Sequence, residues 1–253
     1  MNIGQGSKTP SAISIDICPS PNHGTRRAGP VDMIVLHYTG MPDADQALAW
    51  LCAEQSQVSA HYFVFEDGRI VQMVEENRRA WHAGAACWAG ETDINSRSIG
   101  IEIANLGHDG ALPPFPDAQI DAVSGLCRDI TARHAICPHR LLAHSDVAPG
   151  RKRDPGEAFP WNRLAGEGIG HWAEPERIGG GRFLAPGDEG EPVGALQALL
   201  ALYGYGLEIT GVFDDQTGHV VTAFQRHFRP EKVDGIADTS TLATLHRLLA
   251  ALP

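Results

Sequence analysis

Two apolar runs end in a histidine. One is Met33-Ile34-Val35-Leu36-His37 and the other is Leu141-Leu142-Ala143-His144. The second opens into a loop rich in Pro, Gly and basic residues, Pro149-Gly150-Arg151-Lys152-Arg153-Asp154-Pro155-Gly156, whose aspartate lies ten positions after His144. Prolines and glycines punctuate this segment as an ordered turn. A loop of that length can fold back on itself and bring Asp154 beside His144. His37 supplies a third donor, and two histidines with one carboxylate and an open position form the ligand set of a catalytic zinc. His61, His82, His108 and His134 compete as ligands. His61 sits inside a strand pattern and reads as a packed neighbour, and His108 and His134 read as solvated. His82, in the loop Ala80-Trp81-His82-Ala83-Gly84, either touches substrate or orders its loop. Glu102 interrupts the apolar strand Ser98-Ile99-Gly100-Ile101-Glu102-Ile103-Ala104. A buried carboxylate without a partner is expensive, so a functional role is the better reading. Arg97, just past the turn-like Thr92-Asp93-Ile94, is a candidate for binding a peptide carboxylate, because a guanidinium suits bidentate pairing.

These side chains need a rigid scaffold. Strands are expected over Asp32 to Tyr38, Ser98 to Ala104 and Arg140 to Ala143 from their nearly continuous apolar character. Ser59 to Phe65 and Arg69 to Val74 read as a hairpin turned at Asp67-Gly68. Helices are expected at Asp43 to Gln55 and at Asp117 to His134, the latter with Ile120, Val123, Leu126, Cys127 and Ile130 inward. Residues 1–30 carry no periodicity and read as coil. Strands alternating with helices, plus one hairpin, predict an α/β domain with a mixed central sheet flanked by helices. The stretch around Gly179-Gly180-Gly181 reads as a flexible linker. Beyond it, three runs of apolar residues at helical spacing are separated by Gly211-Val212-Phe213-Asp214 and Gly235-Ile236-Ala237-Asp238, each a glycine turn followed by a capping Asp. The division is 1–175 for the catalytic domain, 176–186 for the linker and 187–253 for a small all-α three-helix domain.

Composition sets the outer limits. The 253 residues carry a formal net charge of −11, which argues against a general nucleic-acid binder. No apolar stretch is long enough to span a membrane. The N-terminus does not read as a signal peptide, and the odd count of five cysteines at wide spacing argues against a disulfide framework. Both features suggest a cytoplasmic protein, with export to the periplasm as the alternative. No obligate protein partner is evident.

Taken together, His37, Trp81-His82-Ala83-Gly84, Ser98 to Glu102, His144 and Gly150 to Gly156 resemble the zinc-dependent N-acetylmuramoyl-L-alanine amidases of the AmpD and AmiD type. Those are related to phage lysozyme-amidases and peptidoglycan recognition proteins. The resemblance covers roughly residues 15–175, and its ligand set is the family's aspartate form rather than its cysteine form. The tail, with Leu196-Gln197, Phe224-Gln225 and Asp234-Gly235-Ile236, resembles the common peptidoglycan-binding domain. The resemblance implies Zn2+ held by His37, His144 and Asp154. It also implies cleavage of the amide between N-acetylmuramic acid, or its 1,6-anhydro form, and L-alanine of a peptidoglycan or muropeptide stem. Glu102 would shuttle the proton and Lys152 would face the oxyanion. Two other readings stand beside it: a non-catalytic peptidoglycan-binding receptor, and a phage-type endolysin.

Overall fold

A computed structural model describes residues 14–252. Its elements in chain order are β1 (Ile15–Ile17), β2 (His23–Thr25), β3 (Met33–Tyr38), α1 (Ala44–Leu51), β4 (Tyr62–Val64), β5 (Ile70–Gln72), β6 (Arg78–Ala80), α2 (Ile94–Arg97), β7 (Ser98–Ile103), α3 (Asp117–His134), β8 (Leu141–Ala143), α4 (His144–Val147), α5 (Trp161–Gly166), α6 (Glu191–Tyr203), α7 (Asp215–Phe228) and α8 (Thr239–Ala250). Six strands form one mixed sheet in the order β1-β5-β4-β7-β3-β8; only β4 and β5, joined through the Asp67-Gly68 turn, run antiparallel. β2 and β6 make a separate two-stranded ribbon.

The coil expected over residues 1–30 is therefore partly replaced. Residues 1–13 lie outside the described part, but Ile15–Ile17 pairs in parallel with Ile70–Gln72 and His23–Thr25 pairs with Arg78–Ala80. Segments of three residues are too short to show alternation, and pairing alone makes them strands.

The central strands are buried on both faces. One face, carrying Ile34, Leu36, Ile99, Ile101 and Ile103, packs with Ile120, Val123, Leu126 and Ile130 of α3 into one core. The opposite face carries Val35, His37, Gly100, Glu102 and Leu142, because the parallel register pairs Val35 with Gly100 and Leu142 and pairs His37 with Glu102. This second face is covered in two places. Over β4 and β5, Phe63 and Val71 form a cluster with Ala47 and Leu51 of α1. Over β3 and β8, Met33, Val35 and Leu142 share a cluster with the C-terminal helices, including Val193, Leu200, Phe224 and Phe228. Between the two covers a cleft remains open above His37 and Glu102.

The tail is built on a repeat. Asp214 caps α7 by accepting from the Thr217 amide at 2.9 Å, and Asp238 caps α8 by accepting from the Thr241 amide at 2.8 Å. Gln197 and Gln225 each accept from the amides of a glycine turn, Gly211 and Gly235, both at 2.8 Å.

The tail does not swing free of the first domain. Trp88, buried in the first domain, meets Tyr205 edge-on with 4.9 Å between ring centroids, and the Ala89 amide donates to Gly204 O at 2.7 Å. A Cβ at Gly204 would lie 2.5 Å from the Trp88 ring, so the approach depends on a glycine there. The segment expected to be flexible is also fastened near its ends: Ser240 donates to Glu176 O at 2.5 Å, and Leu184 bridges to Ala237. Among the described residues, no helix is long and apolar enough to cross a membrane.

Candidate active site

The cleft, about 410 Å3, is lined by His37, His82, Glu102, His144, Lys152 and Asp154 among others. Each arrives by a different route. Parallel pairing sets His37 beside Glu102 on one face of the sheet. β8 ends at Ala143, and His144 starts the short helix α4. The following loop folds back: the Arg151 and Lys152 amides both donate to Ala148 O, and the Ser145 amide donates to Asp154 O, all at 3.0 Å. That closure brings Asp154 beside His144. Arg151 and Arg153 bind Ala85 O at 2.8 Å and Asp109 at 3.0 Å.

His37 Nδ1, His144 Nδ1 and Asp154 Oδ2 form a near-equilateral triangle with sides of 2.9, 3.0 and 2.9 Å, all three residues being buried. The surrounding bonds fix what these atoms are. Ser98 Oγ donates to Ile94 O at 2.6 Å and so accepts from His82 Nε2–H at 3.1 Å. His82 Nδ1 then accepts from His37 Nε2–H at 3.0 Å, which leaves a lone pair on His37 Nδ1. His144 likewise donates Nε2–H to Ala83 O at 3.0 Å and turns Nδ1 inward. Burial, then the neighbouring His144, pushes His37 down to about 4, and burial with His37 and His61 holds His82 well below its ordinary value. Two imidazole nitrogens and a carboxylate oxygen thus converge on one point. Such a set fits a small cation of the Zn2+ class, and the bonds on the far side of each ring are those that orient metal-binding histidines.

Glu102 stands next to His37 with Oε2 buried and no hydrogen-bond partner among the described residues. Burial first, and then Asp154, pushes its carboxyl up to about 8, with Lys152 opposing. Gly100, two residues earlier on the same face, makes room for the relay. A Cβ there would come within 2.5 Å of the His82 ring.

Two sequence candidates for substrate contact have partners within the protein. Both ring nitrogens of His82 are used within the protein. Arg97 lies outside the cleft lining and pairs with Asp32 and, at 3.0 Å, with Glu91. Substituting Arg97→Ala should leave kcat/KM within about twofold and lower the melting temperature by a few degrees, as expected for a partly exposed ion pair; a selective rise in KM would return it to the substrate. His108 and His134 are not freely solvated either. His108 bonds to Tyr38 at 2.9 Å and Glu157 at 3.0 Å, and His134 bonds to Glu76 at 2.7 Å. His61 is packed as expected, accepting from the Gly100 amide at 2.9 Å.

The family model described as N-acetylmuramoyl-L-alanine amidase matches residues 27–157, and a peptidoglycan-binding-domain model matches residues 189–245. The chain is 41% identical over 233 residues to the N-acetylmuramoyl-L-alanine amidase AmiD of Escherichia coli (strain K12), covering 87% of this chain and 82% of that protein. It is 32% identical to the 1,6-anhydro-N-acetylmuramyl-L-alanine amidase AmpD of Enterobacter cloacae over 167 residues, 58% of this chain and 86% of AmpD. The solved complex of AmiD with anhydro-N-acetylmuramic acid-L-Ala-D-gamma-Glu-L-Lys superposes with a TM-score of 0.74 at 37% identity, covering 96% of this chain and 93% of that one. AmpDh3 of Pseudomonas aeruginosa bound to an anhydromuramic pentapeptide gives 0.72 at 30% identity, covering 100% of this chain and 99% of that one. With an amidase family model over residues 27–157 and 41% identity to AmiD across most of both chains, the chain belongs to the N-acetylmuramoyl-L-alanine amidase family.

Proposed function

We propose that the protein is a zinc-dependent amidase that hydrolyses the bond between N-acetylmuramic acid, in its plain or 1,6-anhydro form, and L-alanine of peptidoglycan stem peptides during cell-wall turnover. The observation that carries this reading is the triangle of three buried potential ligand atoms beside Glu102. The capture of two relatives with anhydromuramyl peptides supports the substrate class.

His37, His144 and Asp154 would hold the metal. Zinc, when bound, polarises a carbonyl and brings the pKa of water to about 7. Glu102 accepts the proton of the attacking water and returns it to the amide nitrogen, a poor leaving group until protonated. Lys152 faces the negative charge that develops on the carbonyl oxygen, a type of contact worth roughly 3–4 kcal/mol. Elemental analysis should find one zinc per chain, lost in His144→Ala, and a chelator should abolish release of stem peptide from purified muropeptide. Full hydrolysis in excess chelator would defeat the proposal.

The cytoplasm is our reading for where it works, and the thiols offer the test. Cys18 and Cys52 place their Sγ atoms 3.3 Å apart. In an oxidising compartment, exchange with an oxidant disulfide would join them, each Cys giving up its hydrogen to the departing thiol pair. Alkylation in intact cells should find both free. A chain recovered two hydrogens lighter, with the pair joined, would move the protein to the periplasm.

A further inference from the structure

Asp146 lies two residues beyond His144 and is fully buried. A carboxylate in that setting is costly unless its oxygens are satisfied. Three donors satisfy this one. The Ala143 amide reaches Oδ2 at 2.8 Å, so Asp146 ties down the start of its own short helix. The other two donors come from the C-terminal domain. Tyr205 Oη donates to Oδ1 at 2.8 Å, and His227 Nδ1 donates to Oδ2 at 2.6 Å. The His227 ring is held in place by stacking on Trp161 with centroids 3.7 Å apart.

The same helix, α7, also lies against the ligand loop and the residue that follows it. Arg226 Nε lies 3.5 Å from Glu157. His219 lies so close that a Cβ on Gly150 would come within 3.0 Å of its Nδ1. The turn and the loop are themselves coupled, because the Ser145 amide donates to Asp154 O. A shift of Asp146 therefore displaces His144 and Asp154 together, two of the three donors.

We propose that Tyr205 and His227 are positioning residues of the amidase site. Through Asp146 they aim His144 and, by way of Ser145, Asp154. The C-terminal domain is thereby part of the scaffold that sets metal affinity, in addition to any hold on the cell wall. An apolar interface alone would glue the domains together without needing two polar side chains to converge on one buried acid beside a ligand. The inference rests on the metal-site reading above.

The test uses full-length protein and measures Zn2+ affinity by competition with a chromophoric chelator, alongside melting of the metal-free protein. Tyr205→Phe removes one hydroxyl, and His227→Leu removes one N–H. Each should weaken zinc binding about 10- to 100-fold, the range for outer-shell partners of metal ligands. His227→Asn, whose amide N–H can occupy the place of Nδ1, should restore affinity to within about threefold of the parent. Bound Co2+ should show a changed visible spectrum in the two weakening variants and not in His227→Asn. If the parent binds zinc tightly and Tyr205→Phe and His227→Leu bind it within twofold, the residues only dock the domain, whatever the metal-free melting shows, and the inference is overturned. If His227→Leu fails to fold, Tyr205→Phe decides alone. A parent that binds no zinc overturns the underlying reading together with the inference.

Discussion

Replacing Glu102 by Gln should lower kcat by about 10²- to 10⁴-fold, the usual contribution of a positioned acid–base group, while zinc content and KM stay near those of the parent. The reason is geometric. Glu102 is paired in register with His37, so its carboxyl stands beside the donor triangle without belonging to it. Gln keeps the shape and loses the proton acceptor, so the loss should fall on turnover. The same substitution has a signature in the metal-free protein. Burial raises the folded-state carboxyl to about 8 from an ordinary value of 4.5. Between those values the unfolded chain has released a proton that the folded chain still holds, so this carboxyl's contribution to stability falls as pH rises from about 4.5 to 8, against the rise that the buried His37 and His82 give up to their ordinary value of 6.5. The fall levels off above the folded value. Glu102→Gln should remove this falling component, so the stability of the parent relative to the variant should decline across that window, and melting curves of the two metal-free proteins would read the difference. A turnover within threefold of the parent would remove Glu102 from the mechanism, and an unchanged slope would mean its carboxyl is already solvated.

How much of this was visible in the sequence depends on how local each signal was. Apolar runs that stop at a histidine mark strand ends, which is why His37 and His144 could be named from spacing. Glu102 was legible for a related reason: a lone acid in a strand buried on both faces needs a purpose. The helix Asp117–His134 carries an uninterrupted apolar stripe, and the expected and observed bounds coincide. Other features depend on which partners the fold brings together. Arg97 has the chemistry to bind a carboxylate, and it does, but the carboxylates are Asp32 and Glu91. Nothing near Arg97 in sequence distinguishes a substrate acid from an internal one. His82 was ambiguous because its loop has no periodicity; its role as a link between His37 and Ser98 needs the third dimension. Gly100 carries a fainter signal, since a glycine inside a strand marks close approach by another group, here the His82 ring. The docked tail was hidden for a different reason. The apolar faces of α6 and α7 are the same in sequence whether they meet each other or another domain.

That docking sets the outcome of cutting the chain after Pro186. A freely linked tail would act only by avidity, raising the local concentration of the active site on a polymer. Removing it would then spare soluble muropeptide and slow digestion of intact sacculi. The fold leads to the opposite expectation for the soluble substrate. Trp88, Met33, Val35, Leu142 and Val147 share one buried cluster with the tail, and truncation exposes part of it. Returning a fully buried apolar side chain to water costs roughly 1.5–3 kcal/mol. Two or three such losses consume much of the roughly 5–15 kcal/mol that keeps a domain folded. Asp146 would also lose two of its three donors beside His144. Residues 1–186 should therefore melt at least about 10 °C below the full chain and lose muropeptide and sacculus hydrolysis together. Supplying the separate tail should not restore either activity if the released face aggregates first. A truncated chain that stays soluble and cleaves muropeptide at the full-length rate would show that the docked face is dispensable, and would return the tail to a role in wall binding alone.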